Sequence, residues 1–208
     1  MLMKILLSDA GKRYNREWIF RHFTYEFNNA NAYAITGNNG SGKSTLLQVI
    51  AGAVQHNEGT IAMQTADATI ATDKHHQHLS IAAPYLELPE EMTLLEFLAF
   101  HQSFKPFLSS ISQTDIISLL QLDNARDKQI RNFSSGMKQR VKLAQAILSD
   151  VPVVLLDEPC TNLDADGISL YHQLINDYCA KRLVIVSSND EQEYPFCNYK
   201  ISIADYKN

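Results

Sequence analysis

The run Gly37-Asn38-Asn39-Gly40-Ser41-Gly42-Lys43-Ser44-Thr45 constrains this 208-residue chain more than any other stretch. It has the form GxxxxGK[ST]. Residues without a Cβ let a backbone wrap an anion closely and turn its N–H groups inward. Apolar Tyr33, Ala34 and Ile35 precede the run, as in a buried strand. Leu46, Leu47, Val49 and Ile50 follow it at helical spacing. A strand–loop–helix unit of this kind sets an anion at a helix N-terminus, on the positive end of the dipole. The pattern therefore predicts a phosphate-binding loop. Lys43 reaches the β- and γ-phosphates, Ser44 offers its hydroxyl to Mg²⁺, and Thr45 supports the loop as the next helical residue. The alternative is an ordinary glycine-rich turn, and the flanking strand and helix weigh against it.

Composition narrows the rest. The chain is long enough for one core, or one core with a satellite subdomain. The formal net charge is −5, so no nucleic-acid partner is expected. No run of eighteen apolar residues exists, so no membrane span is expected. Met1 to Leu7 lacks the long apolar core and cleavage site of a signal peptide. Cys160, Cys179 and Cys197 are odd in number and widely spaced; no disulfide or metal framework follows. The expectation is a soluble protein of a reducing compartment, with no regulatory domain after the short C-terminus at Asn208.

The periodicities predict an α/β chain with a helical insert. Met1 to Leu7 reads as a first strand. Glu17 to Phe27 reads as a second, bulged where the alternation of Trp18 and Phe20 breaks before Phe23, Tyr25 and Phe27. Ala32 to Thr36 feeds the loop, and short strands follow at 58–61, 68–72 and 79–83. His75, His76 and His78 could ligate a metal, but a solvated loop explains them better, since nothing fixes their geometry. From Pro84 to Asp150 the pattern is helical. Thr93 and Glu96 form a capping box, with Leu94, Leu95, Leu98 and Phe104 lining that helix. Gln113 to Leu122 forms another, with Ile116, Ile117, Leu119 and Leu120 inward. Ser134 or Ser135 opens a third, running to Leu148. Strands at 153–156, 183–187 and 199–203 and a helix at 164–179 complete the chain.

Val153-Val154-Leu155-Leu156-Asp157-Glu158 is an all-apolar strand ending in two carboxylates. Buried parallel strands read this way, and α/β sheets bind ligands at such ends. Asp157 is the candidate Mg²⁺ ligand, and Glu158 the candidate base for a water beside the γ-phosphate.

Together these motifs resemble the nucleotide-binding domain of an ABC-type ATPase. The order matches along nearly the whole chain: the loop at 37–45, the helical stretch, Phe133-Ser134-Ser135-Gly136-Met137, Asp157-Glu158-Pro159, then Leu163-Asp164. The resemblance implies a P-loop NTPase (RecA-like) core with an N-terminal antiparallel β subdomain and an inserted α-helical subdomain. It implies one cassette over 1–208, the core at about 1–83 and 151–208 and the insert at about 84–150. It implies ATP and Mg²⁺ as cofactors, and a head-to-tail dimer with a second cassette. Ser134, Ser135 and Gly136 would then contact ATP across the dimer, and Asp164 would couple the two sites. Tyr14 stands where the family stacks an aromatic on adenine; packing on the core explains it nearly as well, and Trp18 competes.

Three departures from the family pattern stand out. Ser135 and Met137 replace a Gly and a Gln of the signature. Asn189 takes the place of the switch histidine; its amide can donate to the γ-phosphate but cannot carry a proton charge. The glutamine of the Q-loop is missing, with Tyr85 in its region. The function implied is the ATPase subunit of a transporter, at the cytoplasmic face of the membrane, docked on integral membrane subunits. Two other readings are a nucleotide-gated switch on a soluble or cell-division partner, and a degenerate cassette that binds ATP but barely hydrolyses it.

Overall fold

The strands expected at 32–36, 153–156 and 183–187 pair side by side as parallel strands in the computed structural model, which describes residues 3–207. Met1 and Leu2, the start of the predicted first strand, lie outside the described residues. The chain divides into two compact units, one of residues 3–81, 151–158 and 179–207, the other of residues 82–150 and 159–178.

The first unit holds two sheets. Strands β1 (Met3–Tyr14), β2 (Glu17–Asn28), β4 (Glu58–Thr65) and β5 (Thr69–Ile70) form one, in the order β2-β1-β4-β5 with antiparallel pairing. Strands β3 (Ala32–Thr36), β6 (Leu79–Ala82), β7 (Val153–Asp157), β8 (Leu183–Ser187) and β9 (Tyr199–Ser202) form the other, in the order β6-β7-β8-β3-β9. Helix α1 (Lys43–Ile50) follows β3. One apolar cluster joins Ile5, Phe20, Phe23 and Met63 of the first sheet, Ile35, Leu155 and Ile185 of the second, and Leu46, Leu47 and Ile50 of α1.

The break in the β2 alternation has a physical cause. β1 carries an extra residue between Leu7 and Ala10, and β2 carries one between Phe20 and Phe23. Asp9 and His22 sit there at φ 51 and 56, the left-handed region that single bulge residues occupy. The slip turns both Phe20 and Phe23 inward, and His22 Nδ1 lies 2.7 Å from Asp9 Oδ1 across the strands. The segment expected as a solvated histidine loop is a 3₁₀ turn, Thr72–Gln77. His75 is buried there, its Nε2 3.2 Å from the Ile70 carbonyl. Among the described residues no group of His, Cys, Asp or Glu could hold a metal by itself.

The second unit is helical: α2 (Leu94–Phe104), α3 (Gln113–Leu119), α4 (Ser135–Ile147) and α5 (Ala165–Tyr178). Its helix starts follow from side-chain caps. Thr93 with Glu96, and Ser112 with Asp115, form reciprocal capping boxes. The Thr93 N–H and hydroxyl hold the Glu96 carboxyl below its usual range. α3 stops early because Gln121 takes a left-handed φ of 59, and Leu122 N–H bonds back to the Ile117 carbonyl. Among the described residues no helix is long and apolar enough to cross a membrane.

Candidate functional site

The parallel register sets Ile35 and Asp157 on either side of Ser187, at the C-terminal ends of β3, β7 and β8. The predicted loop leaves β3 at that edge. Gly37 has φ 146 and Gly42 φ 103. A Cβ on Gly37 would lie 2.6 Å from Ile203 Cγ2, and one on Gly42 2.4 Å from Ile19 Cγ2. Both positions need glycine for conformation and for space. Gly42 is the N-cap of α1, with no side-chain cap and no acidic residue in the first turn. The positive end of the helix is therefore left to an external anion.

Lys43 is 4% exposed. Its Nζ donates to the carbonyls of Gly37 at 2.9 Å and Asn38 at 3.4 Å. A pocket of about 200 Å³ opens beside it, lined by Asn39, Gly40, Ser41, Gly42, Lys43, Ser44, Thr45, Ile19 and Glu158. Glu158 holds φ 44, and its N–H donates to the Ser187 carbonyl at 2.9 Å. A non-glycine residue persists in that region only when its surroundings fix it. Here the β7–β8 ladder does so and turns the Glu158 side chain to the pocket.

Asp157 is 1% exposed. Burial pushes its carboxyl above the usual range, while the hydroxyls of Ser187 and Ser44 and the Lys43 ammonium act the other way. Its Oδ1 is buried without a hydrogen-bond partner. A buried carboxylate oxygen left so is costly. A carboxylate oxygen beside the hydroxyl of Ser44 is the donor set that a hard divalent cation such as Mg²⁺ takes, so these residues fit the metal that the sequence implies.

Two further predicted residues lie outside the pocket lining. Asn189, expected to face the γ-phosphate, turns its amide to the loop itself. Oδ1 accepts from Gly37 N–H at 3.1 Å, and Nδ2 donates to Asn39 Oδ1 at 3.1 Å. Tyr14 ends β1, 47% exposed and outside the pocket lining, with Lys12 Nζ 4.7 Å from its ring centre. Its competitor Trp18 is flanked by the guanidinium groups of Arg13 at 5.5 Å and Arg21 at 4.5 Å. Arg21 is in turn tied to Glu58 at 2.8 Å. That leaves the Tyr14 ring the more open of the two.

In the second unit Ser134 is the N-cap of α4, its hydroxyl accepting from Met137 N–H at 3.2 Å. Ser135 and Gly136 open the helix, and a Cβ on Gly136 would stand 3.1 Å from the Asn162 carbonyl. These residues line a cleft of about 640 Å³, together with Asn162, Asp164, Lys128 and Arg140. Asp164 accepts from Gly167 N–H at 2.8 Å and from Arg140 Nη2 at 3.3 Å. The Gly167 N–H, then Arg140, hold its carboxyl below the usual range. Lys128 and Arg140 line this cleft without having been among the expected site residues. Arg140 lies four residues after Gly136 on one helix, a spacing that places both on one face; Lys128 carries no local signal.

A parallel sheet with a phosphate loop after β3 and a carboxylate pair at the end of β7, one strand beyond the neighbouring β8, defines a P-loop NTPase. The ABC transporter family model matches residues 20–161, and the chain belongs to that family, as an ATP-hydrolysing cassette. It is 28% identical to the cytochrome c biogenesis ATP-binding export protein CcmA of Haemophilus influenzae, over 98% of this chain and 97% of that protein. It is 32% identical to the sulfate/thiosulfate import ATP-binding protein CysA of Vibrio vulnificus, over 78% of this chain and 49% of that one. Among solved structures, a putative ABC transporter ATP-binding protein from Pyrococcus furiosus superposes with a TM-score of 0.81 at 22% identity, over 99% of this chain and 100% of that one. A dimeric ATP-binding cassette in a post-hydrolysis state with ADP and Pi superposes at 0.80 and 20% identity, over 95% and 93%. These two likenesses bear on the fold.

Proposed function

We propose that this chain is the cytoplasmic ATPase subunit of a transporter, pairing with a second cassette and docking on separate integral membrane subunits. The observation that most supports this is the convergence of Lys43, Ser44 and Glu158 on one pocket, with the unpartnered oxygen of Asp157 close to Ser44.

In this reading the loop N–H groups and the α1 dipole hold the phosphates. Lys43 exchanges the Gly37 and Asn38 carbonyls for phosphate oxygens. Ser44 and Asp157 would hold Mg²⁺, and the ion would supply positive charge against the β- and γ-phosphates. Glu158 takes a proton from the attacking water. Tyr14 stacks on the adenine. Ser134, Ser135 and Gly136 of one copy face the γ-phosphate bound by another, and Asp164 links the two sites. The 1–208 chain acts as a single cassette.

Phosphate release tests the chemistry. Glu158→Gln should lower turnover on the order of 10²-fold or more while ATP still binds; equal rates would remove Glu158 as the base. Purification of the tagged chain from membranes in mild detergent tests the setting. A stoichiometric integral membrane protein should accompany it. Soluble partners alone would replace the transporter with a nucleotide-gated switch.

A further inference from the structure

The Asn189 amide lies at the junction of three backbone features. Ser188 N–H donates to the Ile35 carbonyl at 3.1 Å, extending the β8–β3 pairing to the mouth of the loop. The next side chain carries that pairing on. Its Oδ1 takes the N–H of Gly37, the first loop residue, and its Nδ2 reaches the side chain of Asn39, two residues later. Between these anchors the chain has left the strand, and Gly37 is at φ 146. The same short stretch supplies both carbonyls that hold Lys43 Nζ. The far side of Gly37 is closed by Ile203 and Ser41, which a Cβ there would meet. The loop entry is thus gripped from two sides. On the Asn189 side the grip is by hydrogen bonds from a residue outside the loop.

We propose that Asn189 is a positioning residue for the phosphate loop: its amide brackets Gly37 and Asn39 so that the loop and Lys43 are pre-shaped for the β-phosphate. This deepens the ATP-binding reading above and rests on it. An amide suits the task because one planar group offers an acceptor and a donor side by side. An imidazole would need two ring nitrogens spaced differently, and a carboxylate would lack the donor. The bracket acts on phosphates common to ADP and ATP, whereas a contact to the γ-phosphate would act on ATP alone.

The test is calorimetric titration of ADP and of ATP into wild type, Asn189→Ala, Asn39→Ala and the double variant, with kcat and KM alongside. Two neutral hydrogen bonds lost from a preorganised loop should weaken ADP and ATP alike, by about fivefold to tenfold. KM should rise with kcat within about twofold. Asn39→Ala should give part of that loss, and the double variant should be no weaker than Asn189→Ala alone, because the two residues share one bond. Unchanged ADP affinity with a fall in ATP affinity or kcat would overturn the proposal and assign Asn189 to the γ-phosphate. Additive losses in the double variant would also overturn it. Should Asn189→Ala melt early, Asn39→Ala carries the same ADP-versus-ATP comparison with one bond removed. If wild type binds neither nucleotide, the site reading itself fails, and that outcome is separate from all the others.

Discussion

The two glycine–serine helix starts of this chain solve different problems. At α1 the N-cap is Gly42, left-handed, with no side-chain cap. At α4 the N-cap is Ser134, in extended backbone, with its hydroxyl already bonded to Met137 N–H. The first end is shaped by backbone that other residues cannot adopt, and it leaves its donors to an outside anion. The second is an ordinary capped helix that stands without a ligand. The comparison teaches that the α1 start gives up self-capping for binding, while the α4 start can accept substitutions such as Ser135 and Met137 and keep its form.

Substitutions at the two glycines should separate the regions most sharply. Gly42→Ala drives a Cβ to 2.4 Å from Ile19 at φ 103. It should cost about 2–3 kcal/mol of stability and at least about tenfold in nucleotide affinity, read by thermal melting and calorimetry. Gly136→Ala meets only the Asn162 carbonyl at 3.1 Å, inside a helix that gains from alanine. Its stability should stay within about 1 kcal/mol. Equal damage at both would break the comparison.

A smaller effect sharpens the role of Ser134. Loss of the cap in Ser134→Ala should cost about 1 kcal/mol, and Ser134→Gly only a few tenths. If turnover falls equally in both, the hydroxyl serves the phosphate as well as the helix; if it follows stability, the hydroxyl only caps.

The smallest effect distinguishes the units by pH. Ser149 Oγ donates to the Gln145 carbonyl, so His101 Nε2, 2.9 Å away, donates to Ser149 as a neutral ring. Burial, then the charge of Lys105, pushes His101 down to about 4. The unfolded chain therefore takes up the proton first as pH falls. Stability is complete above about 6.5 and is lost between about 6.5 and about 4. The loss should be on the order of 1 kcal/mol after solvent screening. Hydrogen exchange at pH 7 and pH 4.5 should show α2 loosening before α1, and His101→Gln should flatten the difference.

What could be read in the sequence was whatever has a local cause. The strand–loop–helix around Lys43 and the Thr93–Glu96 box are written in consecutive residues, and both formed as expected. Phe104 shows where that ends. It was expected to line its helix, but it is 76% exposed. At about 100° per residue, Leu94, Leu98 and His101 share a face, and Phe104, the last residue of the helix, stands about 80° away from it. Polar His101 in an inward slot hid the stripe, and buried Phe97 was passed over. The left-handed Asp9 and His22 have no signature, because the slip belongs to two strands at once. The family resemblance sets Asn189 at the switch position. Its amide geometry was not legible, because Gly37 and Asn39 lie some 150 positions away in the chain.

Lys43 carries one last consequence. Its ammonium rests on two main-chain carbonyls, and in the proposed reading an arriving phosphate would trade those dipoles for full negative charge. On that reading the lysine would change partners within the loop. Neither side of the exchange strands a buried cation, so repeated loading and release can proceed without rebuilding the loop each time.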